Sequence, residues 1–191
     1  MAASSSNAPV EIRQATPEDA LGIARVRVIT WRTQYAGVVP AEYLAQLTLE
    51  GDAARWRQGL THPAPGRFVL VAEIQGEIVG FAAAGPEREG DEEYQGEIYA
   101  LYVLPEYQRQ GIGKRLVGMC AQKLAENAID TLLIWVLEAN PAKQFYERLG
   151  GRPVRACEIE IGGLSLPAVG YGFRDAGALI RRCLEGRSDG V

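Results

Sequence analysis

The spacing of apolar and polar positions changes several times along this chain, and each change marks an element. Val10 to Ala15 has the character of a short strand, and "TPED" follows it. Thr16 as N-cap, Pro17 at the first helical position and acids in the first turn predict a helix start. Leu21, Ala24, Val28 and Trp31 then recur at helical spacing. A second helical region begins after Pro40, with Tyr43, Leu44 and Leu47 on one side, and runs on, broken, toward Leu60.

At Gly66 the character becomes β-rich. "RFVLVAEI" and "EIVGFAAA" flank Gln75-Gly76, a natural hairpin pair. After an acidic loop, Glu87 to Glu93, "YQGEIYALYV" reads as a third strand ending before Pro105. A glycine-bearing stretch then opens a helix whose Ile112, Leu116, Val117, Cys120 and Leu124 form one apolar stripe. "TLLIWVL" is a continuous apolar run, the mark of a strand covered on both faces. Asn140-Pro141 starts a short helix that Gly150-Gly151 ends. Val154 to Ile161 and Leu166 to Phe173 flank Gly162-Gly163 as a closing hairpin, and a terminal helix follows around Ala176 to Leu184.

The order is strand, helices, three strands, helix, strand, helix, two strands. It predicts an α/β (α+β) fold, a mixed sheet with helices packed on it. No composition shift marks a linker. One domain is therefore expected over residues 10–174, with a disordered tail at 1–9 ("MAASSSNAP") and a C-terminal helix and tail at 175–191.

Composition narrows the function classes. Lys and Arg number 20 against 24 Asp and Glu, a net charge of −4, which argues against a general nucleic-acid binder. Cysteines 120, 157 and 183 show neither CxxC nor a secreted framework, so reduced thiols in the cytoplasm are expected. The single histidine, His62, sits before Pro63 without a ligand cluster, so no metal site is expected. The N-terminus lacks the basic and apolar regions of a signal peptide, and no apolar run is long enough to span a membrane.

The chemistry concentrates in "YQRQGIGKR", residues 107–115. A P-loop needs a glycine where Gln108 stands and a hydroxyl where Arg115 stands; a dinucleotide fingerprint needs a third glycine where Leu116 stands. Both nucleotide readings fail on specific residues. What remains is a backbone that approaches an anion closely, with a helix N-terminus behind it and Arg109, Lys114 and Arg115 around it.

The region "GEIYALYVLPEYQRQGIGKRLV … LLIWVLEANPAKQFYERLGG" resembles the GNAT superfamily of acyl-CoA-dependent N-acyltransferases. The residues that carry the likeness are Leu101-Tyr102-Val103-Leu104-Pro105, then Gln108-Arg109-Gln110-Gly111-Ile112-Gly113, then Asn140 and the Tyr146 segment before Gly150. The resemblance implies a mostly antiparallel central sheet, helices on both faces, and a splay between strands four and five. It implies acetyl-CoA as co-substrate and transfer of its acetyl group to an amine in a ternary complex. By the same resemblance, backbone amides from Arg109 to Lys114 cradle the pyrophosphate, and Lys114 or Arg115 meets it or the ribose phosphate. The Leu101 to Val103 backbone, Tyr102 between, lies along the pantetheine arm. The Leu101 N–H serves the thioester carbonyl. Asn140 contacts the pantetheine, although "NPA" is one residue shorter here than in many members.

Two catalytic positions follow from it. Tyr146 matches the tyrosine that protonates the departing thiolate; its bland alternative is an aromatic packed on the sheet beside Phe145. Glu97, four residues before Leu101, matches the position of a general base; its alternative is an exposed strand-end glutamate. A strand bulge expected from the family would disturb the shared face of Glu97 and Leu101. Trp31 and Tyr35 either wall the acceptor site or pack in the core. Asp91-Glu92-Glu93 either attracts a cationic substrate or forms a solvated loop. The resemblance also carries a possible homodimer. The competing class is a non-catalytic acyl-CoA-binding sensor or interaction module.

Overall fold

The computed structural model describes residues 9–185. The tail expected at 1–9, Pro9 apart, and the end of the C-terminal tail lie outside the described residues. Strands β1 (Glu11–Gln14), β2 (Phe68–Ile74), β3 (Glu77–Pro86), β4 (Gly96–Val103), β5 (Leu132–Leu137), β6 (Arg152–Ile161) and β7 (Leu164–Phe173) form one sheet in the order β1-β2-β3-β4-β5-β7-β6. Every neighbouring pair is antiparallel except β4–β5. The helices are α1 (Ala20–Gln34), α2 (Ala41–Gln46), α3 (Leu49–Thr61), α4 (Ile112–Ala125), α5 (Lys143–Arg148) and α6 (Ala176–Ile180). The mixed sheet read from the element order is observed, with the mostly antiparallel pairing and the helices on both faces that the resemblance implies.

Local chemistry explains the turns. Gln75 and Gly76 have φ of 52° and 84°, and Gly162 and Gly163 have 60° and 81°. Both central residues are left-handed, as a type I′ hairpin requires. The Thr16 N–H donates to Asp19 Oδ2 at 2.8 Å, and a short turn, Pro17–Asp19, leads into α1. The second helical region is broken as expected: α2 stops at Gln46, and Thr48 restarts the chain as α3 by accepting from the Gly51 N–H at 3.2 Å.

One sequence expectation needs correction. Leu21, placed on the apolar stripe of α1, is 54% exposed, while Ile23, Ala24, Val26 and Val28 are buried. Helix α1 packs against both the sheet and α3, so its buried band is wide and lies toward Ile23 and Val26.

The helices cover both faces. On one, Trp56 of α3 meets Phe81 of β3 edge-on at 5.0 Å, and Phe81 lies 5.5 Å from Tyr102 of β4. On the other, a Cβ on Gly96 would touch Leu124 of α4, and one on Gly113 would come within 3.9 Å of Val103 Cγ2. The α4 stripe is buried throughout. Each such aliphatic side chain contributes about 1.5–3 kcal/mol. Its burial holds the N-terminus of α4 over the end of β4, where the site lies.

Candidate active site

Strands β4 and β5 pair only at Gly96↔Leu132 and Glu97↔Leu133. Beyond that point β4 runs to Val103 and β5 to Leu137 without pairing, so two free backbone edges face one opening. The outer edges are already used, by β3 and by β7. Unpaired N–H and C=O groups on facing edges accept an extended ligand in the manner of an added strand. Leu101, Tyr102 and Val103 all lie on the free stretch of β4.

The glycine turn closes the top of this slot. Arg109 has φ 62° and Gly111 has φ 82°, both left-handed, before α4 begins at Ile112. Such a turn makes successive N–H groups converge into an anion-binding concavity. The first intrahelical bond of α4 is Arg115 N–H to Gly111 O at 3.0 Å, so the amides of Ile112, Gly113 and Lys114 have no acceptor within the helix. A Cβ added to Gly111 would meet no atom within 4 Å, so the space before the turn is open. Arg109 holds a conformation that costs a non-glycine residue about 1–2 kcal/mol. Two amides fix the turn: Gln108 Nε2 donates to Val103 O at 2.9 Å and Gln110 Nε2 to Glu106 O at 3.1 Å. Arg115 points elsewhere; its Nη1 donates to Val10 O at 3.1 Å.

Tyr146, on α5, is buried against Phe145 at 5.1 Å and Tyr171 at 5.9 Å. Burial, reinforced by Tyr35 and Tyr102, pushes its phenol well above the usual range, so it stays protonated. The same burial raises Tyr102 and Tyr35. Asn140 links Tyr35 to the approach to α5: its Nδ2 donates to the Tyr35 hydroxyl at 2.9 Å, while its Oδ1 accepts the Ala142 N–H at 2.8 Å.

Glu97 is 1% exposed, so it is not a solvated strand end. It belongs to the last β4–β5 pair, at the base of the slot. Arg88 holds both its oxygens: Nε donates to Oε2 at 2.9 Å and Nη2 to Oε1. The expected bulge is present. Ala83 pairs with Ala100 and Ala84 with Ile98, which leaves Tyr99 as the extra residue. Glu97 follows Gly96, which faces α4, and so turns to the opposite face; the bulge brings it onto the side of Tyr102. Leu101 alternates onto the α4 face. The two do not share a side.

Trp31 and Tyr35 lie 5.0 Å apart, with Tyr43 5.9 Å from Trp31, on the same face as Tyr102. The acidic run is elsewhere, before the start of β4. Asp91 and Glu93 there bind Arg155, and Glu93 also binds Arg174. Sequence reasoning missed Arg88. Its signal was a lone cation inside an acidic loop, "PEREGDEE", nine residues from the carboxylate it binds.

Among the described residues there is no group of His, Cys, Asp and Glu fit to hold a metal, and no helix long and apolar enough to cross a membrane.

A mixed sheet whose one parallel pair parts beneath a glycine turn, with a buried tyrosine behind it, defines an acetyltransferase of the class the motifs resemble. The chain belongs to the GNAT acetyltransferase family, whose model matches residues 25–151. An uncharacterized N-acetyltransferase of Bacillus subtilis (strain 168), YuaI, is 38% identical over 170 residues, 89% of this chain and 96% of that one. The fold is similar to YncA of Salmonella typhimurium, solved with its cofactor acetyl-CoA (TM-score 0.65, 19% identity, 86% of this chain and 93% of that one). It is also similar to the PaiA N-acetyltransferase of Thermoplasma acidophilum, solved with coenzyme A (TM-score 0.61, 19% identity, 84% and 98%).

Proposed function

We propose that this protein transfers the acetyl group of acetyl-CoA directly to an amine, both substrates being bound at once. The observation that carries the reading is the parting of β4 from β5 after two pairs, directly under the left-handed turn at Arg109 and Gly111. The residues fit the co-substrate. Amides from Arg109 to Lys114 hold the pyrophosphate, with Lys114 supplying charge. The free β4 edge at Leu101, Tyr102 and Val103 holds the pantetheine arm, and Asn140 borders it. Acetyl-CoA supplies a thioester carbonyl whose carbon the amine attacks.

The chain's own groups then do three things. The Leu101 N–H stabilises the charge that develops on the carbonyl oxygen. Glu97 takes a proton from the amine, through water where the distance requires it, once Arg88 yields one oxygen. Tyr146, protonated by virtue of its burial, delivers a proton to the departing sulfur. The aromatic wall of Trp31, Tyr35 and Tyr102 borders the acceptor. No cysteine takes part: Cys120 faces the core from α4, where burial raises its thiol far above the usual range, Cys183 is buried as well, and Cys157 lies on the edge strand β6.

One observation favours a second reading, a non-catalytic acyl-CoA-binding module: both oxygens of Glu97 are engaged. Release of free thiol from acetyl-CoA across a panel of amines separates the two. Turnover with at least one amine is expected. Tight acetyl-CoA binding with no amine-dependent thiol release would establish the binding module instead.

A further inference from the structure

At the end of the sheet away from the slot lies a second cavity of about 550 Å³, lined among others by Tyr94, Arg152, Phe173, Arg174, Leu179 and Arg182. That size falls within the roughly 300–1,000 Å³ of small-molecule sites. Its place follows from topology: it gathers at the C-terminal end of β7 and the start of β6, where β4 and β5 are still paired.

Three exposed arginines, Arg152, Arg174 and Arg182, line it, on a chain of net charge −4, and of these Arg174 is paired with Glu93. The neighbouring acids are already used. Asp175 Oδ1 accepts the Ala178 N–H at 2.8 Å, and the Glu93 carboxylate is shared between Arg155, at 3.2 Å, and Arg174. Arg182 spends one donor on Arg148 O at 3.2 Å and keeps the rest of its fork. A second observation points the same way. Tyr94 is fully buried and its hydroxyl meets no partner at hydrogen-bond geometry among the described residues; the neighbouring cation, Arg174, is already paired with Glu93. Arg155 covers the Tyr94 ring at 5.5 Å. A sealed polar group without a partner is unfavourable, and a ligand oxygen would relieve it.

We propose that this cavity binds a small molecule carrying a multivalent oxyanion, a phosphate monoester or a polycarboxylate. Arginine forks suit either head group, because planar donors match its oxygens in pairs. The apolar body of the ligand rests on Leu149, Phe173 and Leu179. The cavity shares no residue with the slot, so the proposal stands or falls apart from the acetyl-CoA reading.

The test is calorimetry at constant ionic strength with glycerol 3-phosphate and with citrate, on the wild type and on a variant carrying Arg152→Glu and Arg182→Gln. Saturable binding of at least one anion is expected, and the stronger of the two assigns the head group. The double variant should bind it at least about tenfold more weakly, since charge-assisted hydrogen bonds are lost. Acetyl-CoA titrations should be the same for both proteins. Where a thermal melt shows the double variant unfolded, Tyr94→Phe replaces it, with an expected loss of about 2–10-fold. Binding of neither anion, or equal binding by wild type and folded variant, overturns the proposal.

Discussion

Asp52 on α3 and Glu97 on β4 are each 1% exposed, and arginines hold both. Their partners differ. Arg27, which grips both Asp52 oxygens at 2.7 and 2.8 Å, is 18% exposed and fixed on α1, with its guanidinium 4.8 Å above the Trp31 ring. Arg88 comes from the loop between β3 and β4, is 44% exposed, and stacks over Tyr99 at 4.7 Å. Moving Arg27 would disturb two packed helices. Moving Arg88 would return an already half-solvated cation to water, and the Glu97 charge it leaves behind would then be met by the amine's proton or a water. A buried carboxylate therefore does not announce chemistry by its burial. What separates these two is how cheaply the partner lets go, and that only Glu97 stands where two strands part.

The largest effect expected from this contrast is in rate. Glu97→Gln keeps the shape but removes the proposed proton acceptor, and kcat/KM should fall by about 10²–10⁴. Acetyl-CoA binding should stay nearly intact. An unchanged kcat/KM in a folded variant would make Glu97 a second Asp52, a structural anchor, and leave solvent as the base.

Asp52→Asn should show the converse. Removing one partner of a buried pair leaves Arg27 uncompensated, at a cost of about 3 kcal/mol. For a chain of this size that lowers the melting temperature by roughly 6–12 °C. The rate per folded molecule should not change. A variant that melts like the wild type but turns over slowly would erase the distinction drawn between the two carboxylates.

Tyr146→Phe tests the other proton transfer. A thiolate is a fair leaving group, so the loss should be about 10–100-fold in kcat, with the ring still filling its space. The sign of the pH effect follows from burial. The folded phenol titrates above its unfolded value of 10.0, so both states are protonated at neutral pH. Above that value the unfolded chain releases its proton first, and stability declines as pH rises further. Tyr146 therefore contributes no basic limb to kcat near neutrality. Full kcat in a well-folded variant would make the hydroxyl structural.

The contrast also shows what one-dimensional reading reaches. Hairpins at Gln75-Gly76 and Gly162-Gly163 were legible because a two-residue turn writes its demand for positive φ into adjacent positions. The slot motif was legible for the same reason: Gly111 and the α4 stripe sit together in sequence. Arg88, by contrast, meets Glu97 only after a loop folds back, and Tyr99 becomes a bulge only in register with Ala83 and Ala84. Arg115 reads as a phosphate cation from its neighbours, yet it bonds a carbonyl 105 residues away. Long-range pairing decides such side chains, and spacing alone carries no trace of it.

The smallest effect expected is from Arg55→Ala, which probes the outer arm of the Asp52 cluster. Arg55 pairs with Asp52 three residues back on α3, but its side chain is 69% exposed. Water screens an arm of that kind, and exposed helical pairs contribute about 0.3–0.5 kcal/mol. Arg27 still grips both Asp52 oxygens after the substitution, so no charge is stranded in the interior. Alanine is also the better helix former, which offsets part of the loss. The melting temperature should therefore move by no more than about 2 °C, with kcat and KM unchanged. A drop as large as that of Asp52→Asn would mean that Arg55, and not Arg27, neutralises the buried carboxylate, and the contrast with the half-exposed Arg88 at Glu97 would lose its basis.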